Sequence, residues 1–183
     1  MMHLGRRIFW VMAVAAVTAG AVGCAASDMK VVAADAVLPA NEDSAAFLDR
    51  ISSRLTVTEN DAMRGVLMLV DGKDTAGSFQ QRLESLLARK VISSRWSYDA
   101  GRPVTRGKVA YMICQATKIP GGVMMRLTGP NQRYCLRELQ YQRLMVAGST
   151  FTPVTGMEFV DAISRADTYI RTGKTPNVLG DVE

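Results

Sequence analysis

A dipeptide that recurs at similar intervals is the feature that most constrains the fold of this chain. From residue 24 onward Val-Thr occurs three times, ending at Thr58, Thr105 and Thr155, so successive threonines are 47 and 50 residues apart. Four, five and eight positions after each threonine the residue is apolar, a spacing that lies on one face of an α-helix. Threonine also caps helix starts, because its hydroxyl accepts a hydrogen bond from an N–H of the first turn. The pattern predicts three helices that each begin directly after Val-Thr, and therefore a repeated structural unit.

A second helix is expected before two of these starts. Apolar residues recur with helical spacing in residues 78–92 and 131–146, and each segment is followed by a polar connection. The first of these connections contains Trp96 and Tyr98. The unit is therefore helix, loop, Val-Thr, helix, with a shortened version at the start. The sequence predicts a mainly α fold over residues 44–171, built from three helix-loop-helix repeats.

The middle unit carries a resemblance to a known family. Residues 102–113, Arg-Pro-Val-Thr-Arg-Gly-Lys-Val-Ala-Tyr-Met-Ile, resemble the helix start of an S-layer homology (SLH) repeat. Such repeats typically have an aromatic residue, Pro, a hydrophobic residue, Thr-Arg and then an Ala- and Leu-rich helix. Residues 86–92 are similar to the family's first helix and its exit into the loop. The resemblance extends over residues 44–170 and implies a pseudo-three-fold helical bundle that binds cell-wall polysaccharide.

The middle unit also supplies the candidate ligand-binding residues, which are basic or aromatic: Arg106, Trp96, Tyr98 and Arg102. Arg106 is implied by the resemblance, because the Thr-Arg arginine contributes to anionic glycan binding; Glu59 and Gly156 hold the equivalent positions in the other units. Aromatic faces suit stacking on sugars, and guanidinium groups suit carboxylates or phosphates. The alternatives are that Arg106 is solvated and that Trp96 packs between helices as a core residue.

The N-terminus has the features of an export signal. Two arginines precede an uncharged stretch, residues 8–22, which is shorter than the roughly 20 apolar residues of a membrane-spanning helix. The sequence Ala21-Val22-Gly23-Cys24 resembles the lipobox of bacterial lipoproteins, with Ala21 where Leu is usual. The resemblance implies that residues 1–23 are a signal peptide and that Cys24 is lipidated, for example with palmitate. An uncleaved anchor and an ordinary signal cut at a nearby alanine are the alternatives.

These assignments define the expected organisation and location. Residues 24–43 are expected to carry the lipid and act as a flexible tether, and residues 172–183 to form a flexible tail, because Gly, Pro and Asn follow the last helical pattern. The protein is expected to be exported and anchored in the cell envelope, at the periplasmic face or the cell surface. Its expected partners are the membrane, through the lipid, and cell-wall glycan or an envelope protein.

Composition excludes several classes of function. The chain has 22 basic and 17 acidic residues; removal of residues 1–23 leaves 20 basic residues and a net charge of +3. These charges are spread along the chain, so nucleic-acid binding is not expected. The only histidine, His3, lies in the signal segment, which argues against histidine-dependent catalysis and a zinc site. No enzyme activity, metal or cofactor is expected.

Two cysteines remain once Cys24 is set aside. Cys114 and Cys135 form an even pair, and an oxidising compartment favours their disulfide. The alternative is that both are small core residues. The function expected from the whole sequence is non-catalytic: a cell-envelope lipoprotein whose SLH-like domain binds cell-wall polysaccharide or another envelope component. The alternative is a protein-interaction or scaffold lipoprotein that uses the repeat only as architecture.

Overall fold

A computed structural model describes residues 43–175, and within that range the chain is mainly α-helical, as predicted. The predicted signal peptide, the lipidated Cys24, nearly all of the tether and most of the tail lie outside the described residues. The helices in this range are α1 (Ser44–Ser52), α2 (Glu59–Asp71), α3 (Phe79–Ala88), α4 (Arg106–Thr117), α5 (Val123–Thr128), α6 (Gln132–Tyr141) and α7 (Gly156–Thr172). None of the helices in residues 43–175 is long and apolar enough to cross a membrane.

Three of the helices begin where the Val-Thr pattern predicts. The side chains of Thr58, Thr105 and Thr155 each accept a hydrogen bond from the backbone N–H three residues later, at the start of α2, α4 and α7. At α7 the bond is reciprocated, because Glu158 accepts from the N–H of Thr155 and completes a capping box. The threonines thus fix helix starts by satisfying N–H groups that no helical carbonyl can reach.

The helices before the loops are shorter than predicted. The apolar spacing continues to residues 92 and 146, whereas α3 ends at Ala88 and α6 at Tyr141. Each helix is stopped by a basic residue with a left-handed backbone, Lys90 at φ 58° and Arg143 at φ 56°. The next N–H then bonds back to a carbonyl five residues earlier in the chain, as in a helix-ending motif that normally uses glycine. Val91, Ile92, Leu144 and Met145, which follow these stops, are therefore buried in turns instead of helices.

The valines of the three Val-Thr pairs are joined by their backbones. Val57 N–H donates to the carbonyl of Val154 at 3.0 Å, Val104 to Val57 at 2.8 Å, and Val154 to Val104 at 3.1 Å. The bonds form a closed ring, and all three side chains are fully buried. Buried peptide groups must find hydrogen-bond partners inside the protein. In this ring, the N–H and carbonyl groups of the three buried valines serve as partners for one another.

The residue after each capping threonine also bonds to a neighbouring loop. The N–H groups of Glu59, Arg106 and Gly156 donate to loop carbonyls at distances of 2.8 to 2.9 Å. The partner of Gly156 is Arg54, in the short connection between α1 and α2. A β-carbon on Gly156 would overlap the carbonyl oxygen of Ile51. Glycine at this position is therefore required by the close approach of two backbones.

One hydrophobic core unites the described helices. Its largest fully buried side chains include Phe47 from α1, Leu86 from α3, Leu139 from α6 and Phe159 from α7. The contact between α4 and α6 is the most extensive, and α1 packs on α7. The predicted connection between α4 and α6 contains one element that the sequence pattern did not indicate, the six-residue helix α5, which has no buried residue.

Candidate functional site

A groove of about 940 Å³ opens on the surface of the described part of the chain. It lies between α4, α6 and the loops that precede α4 and α7. Its lining combines three basic and three aromatic side chains, and none of its described lining residues is acidic. These side chains are Arg95, Arg133, Arg137, Trp96, Tyr111 and Phe151.

The arginines of the groove come from two elements. Arg133 and Arg137 are exposed on α6, and a separation of four residues places them on the same side of that helix. Arg95 is exposed in the loop after α3. None of the ion pairs found among residues 43–175 involves these three arginines. Their positive charge is therefore available to a ligand.

Two of the aromatic side chains that line the groove, Trp96 and Tyr111, are in contact. The rings of Trp96 and Tyr111 lie 4.9 Å apart in an edge-on arrangement, a geometry that aromatic quadrupoles favour. The ring of Tyr98 lies 6.3 Å from that of Trp96, and the ammonium of Lys108 is 5.7 Å from the Trp96 ring. Trp96 is half-buried, so it both packs against its neighbours and offers a surface to the groove. Phe151, in contrast, is 82% exposed.

Arg106 lies behind the groove and already has partners in the protein. Its Nη2 donates to Oε1 of Glu158 at 2.5 Å and its Nη1 to the hydroxyl of Thr152 at 3.2 Å. The guanidinium fills the space that a side chain on Gly148, a groove residue, would need. Arg106 is only 7% exposed. The structure therefore places it in a buried ion pair, and the alternative of a solvated arginine is wrong.

Tyr98 and Arg102 lie around a different carboxylate, that of Glu59. Glu59 is buried and accepts from the ammonium of Lys108 at 2.5 Å, while the Arg102 guanidinium is 4.0 Å away. The Tyr98 hydroxyl donates to the carbonyl of Ser93 at 2.6 Å. Burial, followed by the charge of Glu59, raises the pKa of Tyr98 above its usual range. Of the four predicted residues, only Trp96 is among those that line the groove.

The ion pairs of Glu59 and Arg106 follow one pattern. In each pair, one partner is the residue directly after a capping threonine. The other partner lies three positions after the next capping threonine in the chain, and is Lys108 for Glu59 and Glu158 for Arg106. Lys108 interrupts the acidic preference of a capping box, and its contact with Glu59 explains why a cation stands there. The third such pair would join Gly156, after Thr155, to Asp61, three positions after Thr58. Gly156 has no side chain, and Asp61 pairs instead with Arg54 at 2.7 Å.

Sequence reasoning missed most of the groove. Arg133, Arg137 and Tyr111 were not singled out, although the spacing of the two arginines on a predicted helix was a usable signal. A second signal was the absence of any acidic residue from position 100 to 137, a stretch that contains seven basic residues. The sequence did not show which loops lie against α6, because that depends on contacts between distant parts of the chain.

The two core cysteines are close together. Cys114 on α4 and Cys135 on α6 are both buried and are free thiols in this structure. A hydrogen bond between them lowers the pKa of Cys114. The same bond, together with burial, raises the pKa of Cys135. The predicted disulfide stays a prediction, and the fold brings its two residues into contact.

No group of three or more His, Cys, Asp or Glu side chains in residues 43–175 is arranged to hold a metal ion. Comparisons with models of protein families, with curated proteins and with solved structures find no match to this chain.

Proposed function

We propose that this protein is an exported envelope lipoprotein whose helical domain binds an anionic cell-wall polysaccharide in the groove between α4 and α6. The observation that carries the proposal is the set of three arginines without acidic partners beside three aromatic rings. Guanidinium groups make paired hydrogen bonds to carboxylates and phosphates, and aromatic faces stack on sugar rings. A charged polysaccharide offers both kinds of group in one ligand.

The proposed architecture is a pseudo-three-fold bundle of three SLH-like units. The ring formed by Val57, Val104 and Val154 supports it, because each valine donates to one neighbour and accepts from the other. The equivalent bonds made by Glu59, Arg106 and Gly156 support it further. Membrane attachment rests on the lipobox-like sequence that ends at Cys24.

The ligand is proposed to contact a different surface from the one that the SLH resemblance implies. Arg106 is held by Glu158 inside the domain, so exposing it to a glycan would break a buried ion pair, which is costly. Arg133 and Arg137 are exposed and have no such competitor. The positive charge for binding therefore comes from α6.

A sedimentation assay with purified cell-wall sacculi tests this proposal. We expect the double variant Arg133→Ala/Arg137→Ala to bind at least about 10-fold more weakly, since each charge-assisted hydrogen bond contributes about 1.5–3 kcal/mol. Added salt should weaken the binding of the parent protein. Arg171→Ala is the matched control, because Arg171 is an exposed arginine at the end of α7 and does not line the groove.

Two results would contradict the proposal. The first is a parent protein that washes off sacculi at low ionic strength. The second is a loss of binding free energy in Arg171→Ala of half or more of the loss in the α6 double variant. Because the double variant removes two charges and Arg171→Ala removes one, that result would indicate attraction by net charge alone. If wall binding is absent and crosslinking in the native envelope recovers a protein partner at the groove, the domain is a protein-interaction scaffold instead.

A further inference from the structure

Helix α5 presents an apolar face that the rest of the domain does not cover. Val123 is 73% exposed, Met124 52% and Leu127 76%. On a helix these three positions fall within one arc of about 100°. Met125 lies on the opposite side and packs against the core, with its sulfur 3.9 Å from that of Cys135. The helix is thus held on the domain by Met125 and turns its other apolar residues outward.

A basic side chain of α5 borders this apolar face, and a second lies nearby at the end of α4, where both line one small cavity. Arg126 on α5 and Lys118 just before it are exposed, and both lie in the stretch from position 100 to 137 that contains no acidic residue. The nearest carboxylate from a packed helix is that of Glu138 on α6, which accepts from the N–H of Gly122 at 3.2 Å and from Gln142 at 3.2 Å. Its charge is directed into the helix start rather than outward.

We propose that α5 docks on the surface of a bilayer that contains anionic lipids, with Val123, Met124 and Leu127 at the level of the acyl-chain boundary. A short apolar face bordered by cations is the arrangement of helices that lie in the membrane interface. The cations match the negative surface potential of anionic headgroups. A protein partner would not require the cationic border, whereas an anionic lipid surface does.

The docking rests on the proposed membrane anchor at Cys24. Asp43, where the described structure begins, is 19 positions after Cys24. A chain of that length spans at most about 65 Å, so an anchored domain remains at a high local concentration near the bilayer. A face too small to hold the free protein on a membrane can therefore dock when the anchor is present.

Tryptophan fluorescence in reconstituted vesicles tests the docking. Full-length lipidated protein carrying Leu127→Trp is compared with the same protein carrying Leu55→Trp, a leucine that is 88% exposed between α1 and α2. Vesicles contain phosphatidylcholine alone or with phosphatidylglycerol, with or without brominated acyl chains. The spectrum of the parent protein, which retains Trp96 once residues 1–23 are removed, is subtracted.

We expect Leu127→Trp to show a blue-shifted emission and a loss of intensity with brominated lipid in the phosphatidylglycerol vesicles. Leu55→Trp should emit as in water, and adding Arg126→Glu to Leu127→Trp should reduce the quenching. Equal quenching at both positions, or no quenching at position 127 in protein that floats with the vesicles, overturns the docking and leaves the anchor in place. Protein that does not float with the vesicles overturns both. Wall binding through Arg133 and Arg137 is measured separately, so its result is independent.

Discussion

The ion pair between Arg106 and Glu158 should stabilise the fold, and its burial indicates how much the free energy of unfolding should fall when the pair is removed. The Arg106 side chain is 9% exposed and that of Glu158 is 28% exposed. Breaking a fully buried pair costs about 3–5 kcal/mol. Because water reaches Glu158 in part, we expect Arg106→Ala to lower the free energy of unfolding by about 2–3 kcal/mol, including the lost hydrogen bond to Thr152.

Urea denaturation of the chain from residue 24 onward, with Cys24→Ser to prevent lipidation, measures this change. With a urea dependence of about 1–3 kcal/mol/M, the midpoint for Arg106→Ala should fall by about 1–2 M at unchanged slope. Arg171→Ala is the control, because Arg171 and its partner Asp167 are 69% and 47% exposed. Its free energy of unfolding should stay within about 0.5 kcal/mol of the parent value.

A double-mutant cycle separates the pair from the other roles of Glu158. Glu158→Ala also removes half of the capping box with Thr155, and the cycle with Arg106→Ala subtracts that contribution. A coupling energy below about 0.5 kcal/mol would refute the buried ion pair. If Arg106→Ala left stability unchanged and abolished wall binding, Arg106 would be a ligand residue and the reasoning from burial would be wrong.

Three further predictions concern other parts of the fold. Gly156→Ala should destabilise the domain by more than about 3 kcal/mol, because its β-carbon meets backbone. In Gly77→Ala the β-carbon would make only an ordinary contact of 3.5 Å with Oε1 of Gln81, so this control should change the free energy of unfolding by less than about 0.5 kcal/mol; similar midpoints for both variants in urea would contradict this. Cys114 and Cys135 should resist thiol labelling in denatured protein taken from the native envelope until reductant is added; two labelled thiols without reductant would leave them as core residues. Stability should fall as pH rises past about 10, since Tyr98 stays neutral in the folded state while it ionises in the unfolded chain; an equally steep fall in Tyr98→Phe would show that other groups cause it.

The repeated helix starts could be predicted because each depends on local chemistry. A threonine hydroxyl caps the helix that follows it, and apolar residues four, five and eight positions later specify which face is buried. Thr58, Thr105 and Thr155 accordingly cap α2, α4 and α7. The stops of α3 and α6 were less accessible, because Lys90 and Arg143 adopt a backbone conformation that residue type does not favour.

The candidate site was only partly predictable, because the partner of a charged residue is set by the fold. Arg106 has no acidic residue adjacent to it in the sequence, and its partner Glu158 lies 52 residues away. Lys108 is likewise separated from Glu59 by 49 residues. A cation near the start of a helix is slightly unfavourable. The position of Arg106 was therefore as consistent with a ligand-binding role as with an ion pair inside the protein. Trp96, a candidate from its position in a basic, aromatic loop, lines the groove, and its role in ligand binding stays a prediction.

The different ion pairs at the junctions bear on the order of the units in the proposed bundle. In the observed order, Glu59 faces Lys108 and Arg106 faces Glu158. If the second and third units exchanged places, Glu59 would face Glu158, and two carboxylates would share a buried position. That arrangement is strongly unfavourable. The charges at the junctions therefore help to select one packing, and a residue used for that purpose is not free to bind a ligand. Under the proposed function an anionic polymer would need cations elsewhere on the domain. Arg133 and Arg137 of α6 are exposed and enter none of the ion pairs found among residues 43–175.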